Sequence, residues 1–227
     1  MVKYRWYIGG TQKYDLMGAM QFNLLTALGL RDYHKLLDIG CGSLRAGRLF
    51  IPYLNPNCYC GIEPEKWLVE EGIKHEVGKD LIQIKSPRFL YRDDFPIEGF
   101  GEKFDFMLAH SIFTHATQEQ IRKCLTGVKD YLTPASEGSR GGILVSTFLF
   151  GSEDYEGSEW VWPGKTKEKF AYYTKDFVCK VAKECGLECR IINWTHTHGQ
   201  SWVIFGSAAT IGSVGEDIHF NYSQDDV

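Results

Sequence analysis

The chain has 227 residues, of which 44% are hydrophobic and 24% charged, and these values suit one globular domain with a sizeable core. The formal net charge of −4 provides no excess of positive charge, which argues against nucleic acid or an anionic membrane as a partner. The sequence contains no run of about 18 apolar residues, so we expect no membrane-spanning helix.

Cysteine usage and the amino-terminal residues bear on the cellular compartment. The seven cysteines are odd in number and scattered, which is not typical of a disulfide framework. The first residues, MVKYRWYIGG, lack the apolar core that a signal peptide needs. We therefore expect a cytoplasmic protein whose cysteines are reduced and mostly buried.

Three regions are predicted along the chain. Residues 1–34 form an N-terminal arm that contains a helix over 15–30, and its Trp6, Tyr7 and Gly9–Gly10 are typical of a lid. Residues 35–210 form the main domain, and residues 211–227 form a polar, loosely held tail.

Apolar segments alternate with segments of helical period in the main domain, which predicts an α/β fold with a mainly parallel sheet. The predicted strands are residues 35–40, 58–63, 88–93, 104–110, 142–148, 189–194 and 201–206. The predicted helices are residues 44–54, 65–78, 117–132 and 174–186. Thr117 and Gln120 form a capping box, Thr174 is an N-cap, and Gly186 ends its helix.

The connection between the last two predicted strands is only about six residues long, THTHGQ. A crossover helix does not fit into this length. The two strands are therefore predicted to form an antiparallel hairpin, which reverses the last strand of an otherwise mostly parallel sheet.

The stretch LLDIGCGSLRAG predicts a buried strand that leads through Asp38 into a turn on Gly40 and Gly42. Glycine at these two positions lets the backbone approach a ligand with no Cβ in the way. Glu63 ends the second predicted strand, 21 residues past Gly42, where an acid is placed to accept hydrogen bonds from ribose hydroxyls. Together these features predict a nucleoside-bearing cofactor across the carboxyl ends of the first two strands.

The glycine spacing distinguishes between classes of cofactor. A dinucleotide fingerprint needs a glycine where this chain has Arg45, and Gly47 comes two residues late. The Asp-x-Gly-x-Gly arrangement instead resembles motif I of class I S-adenosylmethionine-dependent methyltransferases. The resemblance covers about residues 35–206 and departs from the common pattern at Leu44, where a third glycine is usual. Ser43 is expected to cap the next helix, whose first amides favour an electronegative partner.

The resemblance implies a Rossmann-like class I methyltransferase fold, with a seven-stranded mostly parallel sheet, a reversed last strand and flanking helices. It also implies S-adenosyl-L-methionine as the cofactor. Asp38, Gly40 and Gly42 would line its methionine and sugar portion, and Glu63 would bind the ribose diol.

Further cofactor contacts are implied after the first, third and fourth strands. Asp93 and Asp94 stand where the family has an acid for the adenine amino group, and Phe95 follows where a backbone amide or ring meets adenine. Arg45 would donate to the cofactor carboxylate, with a solvated helix charge as the alternative. Cofactor and substrate would meet at Ala109, His110 and Ser111.

A catalytic base is needed if the acceptor is a neutral alcohol or a protonated amine, whereas a carboxylate acceptor needs none. Histidine titrates near neutral pH, and four histidines follow strands on the cofactor side. We rank them His115, His110, then His198 and His196, with a structural role as the alternative for each.

Metal dependence is a further alternative. His196 and His198 alternate on an extended segment, and Asp105 or Glu159 would have to join them for catechol-type chemistry. The prediction that we adopt contains no metal.

Substrate selection is assigned to the N-terminal arm, the loop after the fifth strand and the hairpin tip with Gln200 and Trp202. One group of aromatic residues is expected to form an apolar wall for the substrate. The alternative for this group is ordinary packing in the core or at a dimer interface. This group consists of Trp160, Trp162, Tyr172 and Tyr173.

The sequence thus favours a methyltransferase that acts on O, N or carboxylate of a metabolite or natural product, as a monomer or homodimer. An NAD-dependent oxidoreductase is the first alternative, and Arg45 and the reversed strand count against it. A non-catalytic cofactor-binding scaffold is the second, and Asp38, Glu63 and the histidines count against it.

Overall fold

The computed structural model describes residues 3–9, 12–161 and 166–214, and a seven-stranded sheet lies at its centre. The strands are β1 Leu36–Ile39, β2 Tyr59–Ile62, β3 Arg88–Leu90, β4 Phe106–Ala109, β5 Ile143–Phe148, β6 Glu188–Ile192 and β7 Ser201–Gly206. Their order is β3-β2-β1-β4-β5-β7-β6. Strand β7 runs antiparallel to β5 and β6, while the other pairs are parallel. The predicted sheet and its terminal hairpin are confirmed.

Helices cover both faces of this sheet. They are α1 Lys3–Tyr7, α2 Tyr14–Ala27, α3 Gly47–Tyr53, α4 Lys66–Gly72, α5 Lys79–Lys85, α6 Gln118–Tyr131, α7 Lys175–Glu184 and α8 Ala208–Ser213. A π-helical turn, Ile73–Val77, continues α4, and a 3-10 helix spans Ile97–Phe100. The helix predicted over 65–78 is therefore two elements, and the separate α5 behind it was not predicted. None of the helices in the described ranges is long and apolar enough to cross a bilayer.

Alternate residues of the central strands enter two hydrophobic cores, one on each face of the sheet. Leu37 of β1 packs in the core that α6 and α7 cover. Leu36 packs in the core that α2 and α3 cover, and Leu24 and Leu25 of α2 belong to it. Part of the predicted N-terminal arm thus helps to build the main domain.

The boundary predicted for the polar tail at residue 211 falls inside α8. Ile211 and Val214 are buried and belong to the hydrophobic core that contains Trp202 and Ile204 of β7. The remainder of the predicted tail, residues 215–227, lies outside the described residues.

The cysteines all lie in described parts of the chain and are free thiols. Four of them, Cys41, Cys58, Cys60 and Cys124, are buried, whereas Cys179 is exposed.

Helix α6 begins at the predicted capping box. Thr117 Oγ1 accepts from the Gln120 amide at 3.2 Å, and Gln120 Oε1 accepts from the Thr117 amide at 2.9 Å. We expect Thr117→Ala to lower the free energy of unfolding by about 1 kcal/mol, because the Gln120 amide in the first turn loses its side-chain acceptor. Urea denaturation measures this change. Thr126→Ala, at an exposed position inside the same helix, is the control and should cause no loss, so equal losses in both variants would contradict the assignment.

Candidate active site

The turn that follows β1 has the left-handed backbone that glycine favours, with φ of 72° at Gly40 and 55° at Gly42. A Cβ on Gly40 would lie 2.1 Å from Ile112 Cδ1, and one on Gly42 would lie 3.2 Å from Ile8 Cγ2. The absent side chains therefore permit a close approach, and in this structure Ile112 and Ile8 make it.

Glu63 lies beside this turn at the carboxyl end of β2 and is 8% exposed. Its Oε2 accepts from the Gly42 amide at 2.9 Å, and its Oε1 accepts from the Glu65 amide at 2.9 Å. Burial raises the pKa of Glu63, and the two amides oppose that shift. The structure thus brings together two residues that the motif spacing had paired. Each carboxylate oxygen retains a further lone pair for a hydroxyl donor.

Asp38 is buried in β1, where its Oδ2 accepts from the Tyr59 hydroxyl at 2.8 Å. Burial raises the pKa of Asp38 to about 7, although the Tyr59 hydrogen bond and the charge of Arg45 oppose the shift. In this structure the carboxyl group joins the side chains of two neighbouring strands beneath the glycine turn.

The raised pKa of Asp38 predicts a pH-dependent stability. The folded chain binds this proton more strongly than the unfolded chain does. The protonation of Asp38 therefore contributes to the free energy of unfolding at low pH, and this contribution is lost as pH rises from 3.8 to about 7. Asp38→Asn keeps an oxygen for Tyr59 and cannot ionise. We expect its free energy of unfolding to rise relative to wild type across this window, by up to about 1.4 kcal/mol per pH unit. Denaturant unfolding of both proteins over the pH series measures this, and a constant difference contradicts it.

The helix after the glycine turn begins three residues later than predicted, and Ser43 does not cap it. The N-cap is Ala46, with no side-chain hydrogen bond. Leu44 has a left-handed φ of 59°, which interrupts the helix, and the Ser43 hydroxyl lies 3.1 Å from the Tyr14 hydroxyl of α2. The capping prediction was wrong because the Ser43 hydroxyl contacts a residue that is distant in the sequence, and the local pattern around Ser43 does not reveal such a contact.

Arg45, His110 and His196 form a polar cluster where three loops meet. Arg45 donates through Nη1 to the Ile8 carbonyl at 3.0 Å and through Nη2 to His110 Nδ1 at 2.9 Å. The Nε2 atoms of His110 and His196 lie 2.9 Å apart, and the two rings are stacked. Arg45 and His110 were expected near the cofactor, whereas His196 was ranked last among the bases.

Both histidines of this cluster are held neutral. Burial and the charge of Arg45 lower the pKa of His110 well below its usual value. Burial, with His198 and Arg45 nearby, lowers the pKa of His196 to about 4. His198 itself is exposed, and burial lowers its pKa as well.

The hairpin tip is tied to the end of β4. The Gln200 side-chain amide donates to Ser111 Oγ at 2.9 Å, and the Ser111 amide donates to Thr147 Oγ1 at 2.8 Å. Trp202 is fully buried, with its ring centroid 5.4 Å from that of His110. The predicted substrate segment at the hairpin tip therefore adjoins the polar cluster.

His115, ranked first as a base, contacts the loop after β5. Its Nδ1 lies 2.8 Å from the Val161 carbonyl oxygen, and its ring stacks with that of Trp160. Burial lowers the pKa of His115. These contacts join the loop after β4 to the predicted substrate loop after β5, and a catalytic role for His115 stays a prediction.

The acids proposed for adenine recognition lie beyond the end of β3. Asp94 pairs with Arg92, whose Nε donates to Asp94 Oδ1 at 2.9 Å and which lowers the pKa of Asp94. Asp93 is exposed, and Phe95 is half-buried with φ of 56°. The adenine role of these three residues stays a prediction.

The N-terminal arm is fastened beside the glycine turn. The Glu76 side chain is 4% exposed, and its Oε1 accepts from the Tyr4 hydroxyl at 2.6 Å and from Arg5 Nε at 2.7 Å. Tyr7 packs edge-on against Trp67, and the Ile8 side chain approaches Gly42. Ile8 of the arm thus lies against the turn, and a lid role for the arm stays a prediction; Gly10 lies outside the described residues.

The predicted aromatic wall is not one surface. Tyr173 is fully buried, and its hydroxyl donates to the Ala116 carbonyl at 2.7 Å, so it belongs to the core. Tyr172 is 46% exposed, Trp160 is half-buried, and Trp162 lies outside the described residues.

A metal site is not formed: within residues 3–9, 12–161 and 166–214, no three His, Cys, Asp or Glu side chains are grouped to hold an ion. Asp105 accepts from the Lys35 amide at 2.8 Å at the amino end of β4. This is the edge of the sheet opposite to His196, so Asp105 does not join the histidine pair.

Comparison with solved structures establishes the class of fold. No family model matches the chain. Magnesium protoporphyrin IX methyltransferase from Synechocystis PCC 6803, solved with bound S-adenosylhomocysteine (SAH), has a TM-score of 0.62 and 13% identity, covering 91% of this chain and 93% of its own. DesVI from Streptomyces venezuelae has a TM-score of 0.60 and 15% identity, with coverages of 89% and 95%.

A third similar structure is the amino pentose methyltransferase CalS10 from Micromonospora echinaspora, solved with bound S-adenosylmethionine (SAM). Its TM-score is 0.59 at 15% identity, with 87% of this chain and 92% of that chain covered. The chain therefore has the Rossmann-like fold of class I methyltransferases, as the motif resemblance implied.

Proposed function

We propose that the protein transfers a methyl group from SAM to a small-molecule acceptor. The observation that carries the proposal is the pairing of the Glu63 carboxylate with the Gly42 amide, at 2.9 Å, where β1 and β2 end. Two similar structures of the same fold were solved with SAH or SAM bound.

The residues at this edge of the sheet fit such a cofactor. Glu63 supplies two carboxylate oxygens, each with a lone pair for a ribose hydroxyl. Gly40 and Gly42 expose their backbone once Ile112 and Ile8 move aside. Asp93, Asp94 and Phe95 are proposed to border the adenine, and Arg45 and Ala109 to border the methionine end.

The chemistry asks mainly for positioning. The bound sulfonium supplies an activated methyl group, and holding the acceptor in line with it contributes on the order of 7–11 kcal/mol. The arm with Ile8 and the hairpin tip with Gln200 adjoin the cluster of Arg45 and His110, and they are suited to hold the acceptor and exclude water.

The acceptor is proposed to be a metabolite or natural product methylated on O, N or a carboxylate. The net charge of −4 does not favour a polyanionic partner, and the similar structures include a porphyrin and an amino pentose methyltransferase. A cytoplasmic location and a monomeric or homodimeric state stay predictions from the sequence.

Calorimetry with SAH and NAD, followed by methyl transfer from labelled SAM to a metabolite library, tests the proposal. We expect SAH to bind, NAD not to bind, and label to appear in a small molecule. Binding of NAD instead would support the oxidoreductase alternative. SAH binding without transfer to any compound of an extract that contains the native metabolites would support the scaffold alternative.

A further inference from the structure

The hydrogen-bond partners of the two stacked histidines determine where their protons lie. Arg45 is a pure donor, so His110 Nδ1 is an acceptor and a neutral His110 carries its proton on Nε2. His196 Nδ1 lies 3.2 Å and 3.3 Å from the backbone amides of His198 and Gln200, which are also pure donors. A neutral His196 therefore also carries its proton on Nε2.

The two Nε2–H groups consequently face each other across 2.9 Å, and neither finds an acceptor in the other. Moving the His196 proton to Nδ1 would relieve this conflict, but it would deprive the amides of His198 and Gln200 of this acceptor. Gln200 is only 9% exposed, so water does not readily replace His196 Nδ1 as the acceptor of its amide. The two Nε2–H groups therefore lack an acceptor, and a single acceptor atom between them would serve both.

A second observation at the same place also indicates a missing acceptor. Trp202 Nε1 is buried and has no hydrogen-bond partner among the described residues. The Trp202 ring packs against both imidazoles, with centroids 5.4 Å from His110 and 5.6 Å from His196. Buried N–H groups without an acceptor are uncommon in proteins, and they point to a ligand or an ordered water.

The charges around the cluster favour an anion. The Arg45 guanidinium donates directly to His110, and Lys13 and His198 are the other titratable groups near His196. Asp38 is the acidic group that interacts with Arg45, and burial raises the pKa of Asp38 to about 7, which reduces its negative charge near neutral pH. Within the described part of the chain, no carboxylate is hydrogen-bonded to His110 or His196. A cation beside two or three N–H donors is the arrangement that stabilises an oxyanion.

We propose that the Nε2–H groups of His110 and His196, with Arg45 behind them, bind the ionised oxygen of an acidic acceptor, a carboxylate or a phenolate. This substrate class rests on the proposed methyltransferase function, but the binding of the oxyanion does not depend on it. The two Nε2 atoms must separate to admit an oxygen at about 2.9 Å from each. His196 lies on the connection between β6 and β7, which is the part that would move.

The transfer step then needs no base. A lone pair of the acceptor oxygen forms the new O–C bond while the C–S bond of the methyl group breaks. The electron pair of the C–S bond stays on the sulfur, which becomes a neutral thioether. No proton is moved, so His110 and His196 act as hydrogen-bond donors. Their lowered pKa values agree with this role, because such weak bases would not deprotonate an ordinary alcohol.

The probe that tests this site is 4-nitrophenol, whose phenolate absorbs visible light, with benzoate as a competitor. It is titrated into the protein with and without SAH across a pH series. We expect the bound probe to ionise at a pH at least one unit lower than the free probe, which corresponds to at least tenfold preference for the phenolate. Benzoate should displace it. Binding as the neutral phenol, or no binding of either compound, would overturn the proposal.

Three variants assign the effect to this cluster. His196→Ala, on a half-buried loop, should lose at least tenfold in phenolate affinity, while His196→Gln should retain part of it because its amide remains a donor. His34→Asn, before β1 and remote from the hairpin tip, is the matched control and should bind like wild type. Equal affinity in His196→Ala and wild type would place the probe elsewhere and contradict the proposal.

SAH calorimetry on the same proteins separates this inference from the proposed function. Binding of phenolate without binding of SAH would leave the oxyanion site standing and refute the methyltransferase. Binding of SAH by a protein that rejects both probes would refute the oxyanion site alone.

Discussion

Glu63→Ala is expected to weaken SAH binding by more than tenfold, as measured by calorimetry. The carboxylate lies at the junction of β1 and β2, and its loss removes the charge-assisted hydrogen bonds proposed for the ribose hydroxyls. Glu63→Gln is informative as well. The glutamine side chain retains one oxygen that can accept from the Gly42 backbone amide, but it has one acceptor oxygen fewer than the carboxylate.

The nearby Glu65→Ala is the matched control. Glu65 is exposed, and its side chain accepts from Trp67 Nε1 at 2.9 Å, so SAH affinity should change little. Unfolding free energies of all three variants show whether the loop itself is lost. Unchanged SAH affinity in folded Glu63→Ala would remove Glu63 from the cofactor site.

Gly72→Ala is expected to lower the free energy of unfolding by about 2–3 kcal/mol, as measured by denaturant unfolding. A Cβ at Gly72 would lie 2.4 Å from the Ser43 carbonyl oxygen and 2.7 Å from its carbon. Both atoms belong to the backbone that follows the glycine turn, so α4 or the turn must shift. We expect the affinity of Gly72→Ala for SAH to fall as well, because the shifted turn borders the proposed cofactor site.

Gly212→Ala serves as the control for this substitution. Gly212 lies in α8 at an exposed position, and a Cβ there would meet nothing within 4 Å. Alanine should leave stability unchanged or raise it by up to about 1 kcal/mol. A Gly72→Ala protein as stable as wild type would show that α4 does not constrain the turn.

Local signals in the sequence predicted much of the fold. Continuous apolar runs indicated β1, β2 and β4, whose residues are buried on both faces. The short connection after β6 indicated the hairpin, and Thr117 and Thr174 marked the starts of their helices. The pairing of Gly42 with Glu63 was predictable because parallel strands end at the same edge of a sheet.

Long-range contacts account for what was not predicted. Arg45, His110 and His196 come from three separate loops, and no spacing within one segment brings them together. Ser43 looked like an N-cap, but Tyr14 of another helix occupies its hydroxyl. The short helices α1, α5 and α8 present too few turns for a clear apolar period.

A crystal structure of the protein with SAH tests the central claim most directly. We predict that the nucleoside lies across the ends of β1 and β2, with its ribose hydroxyls donating to Glu63 and with Ile8 and Ile112 moved away from Gly42 and Gly40. SAH bound at another place, or a cleft that stays covered by both isoleucines at saturating SAH, would contradict it.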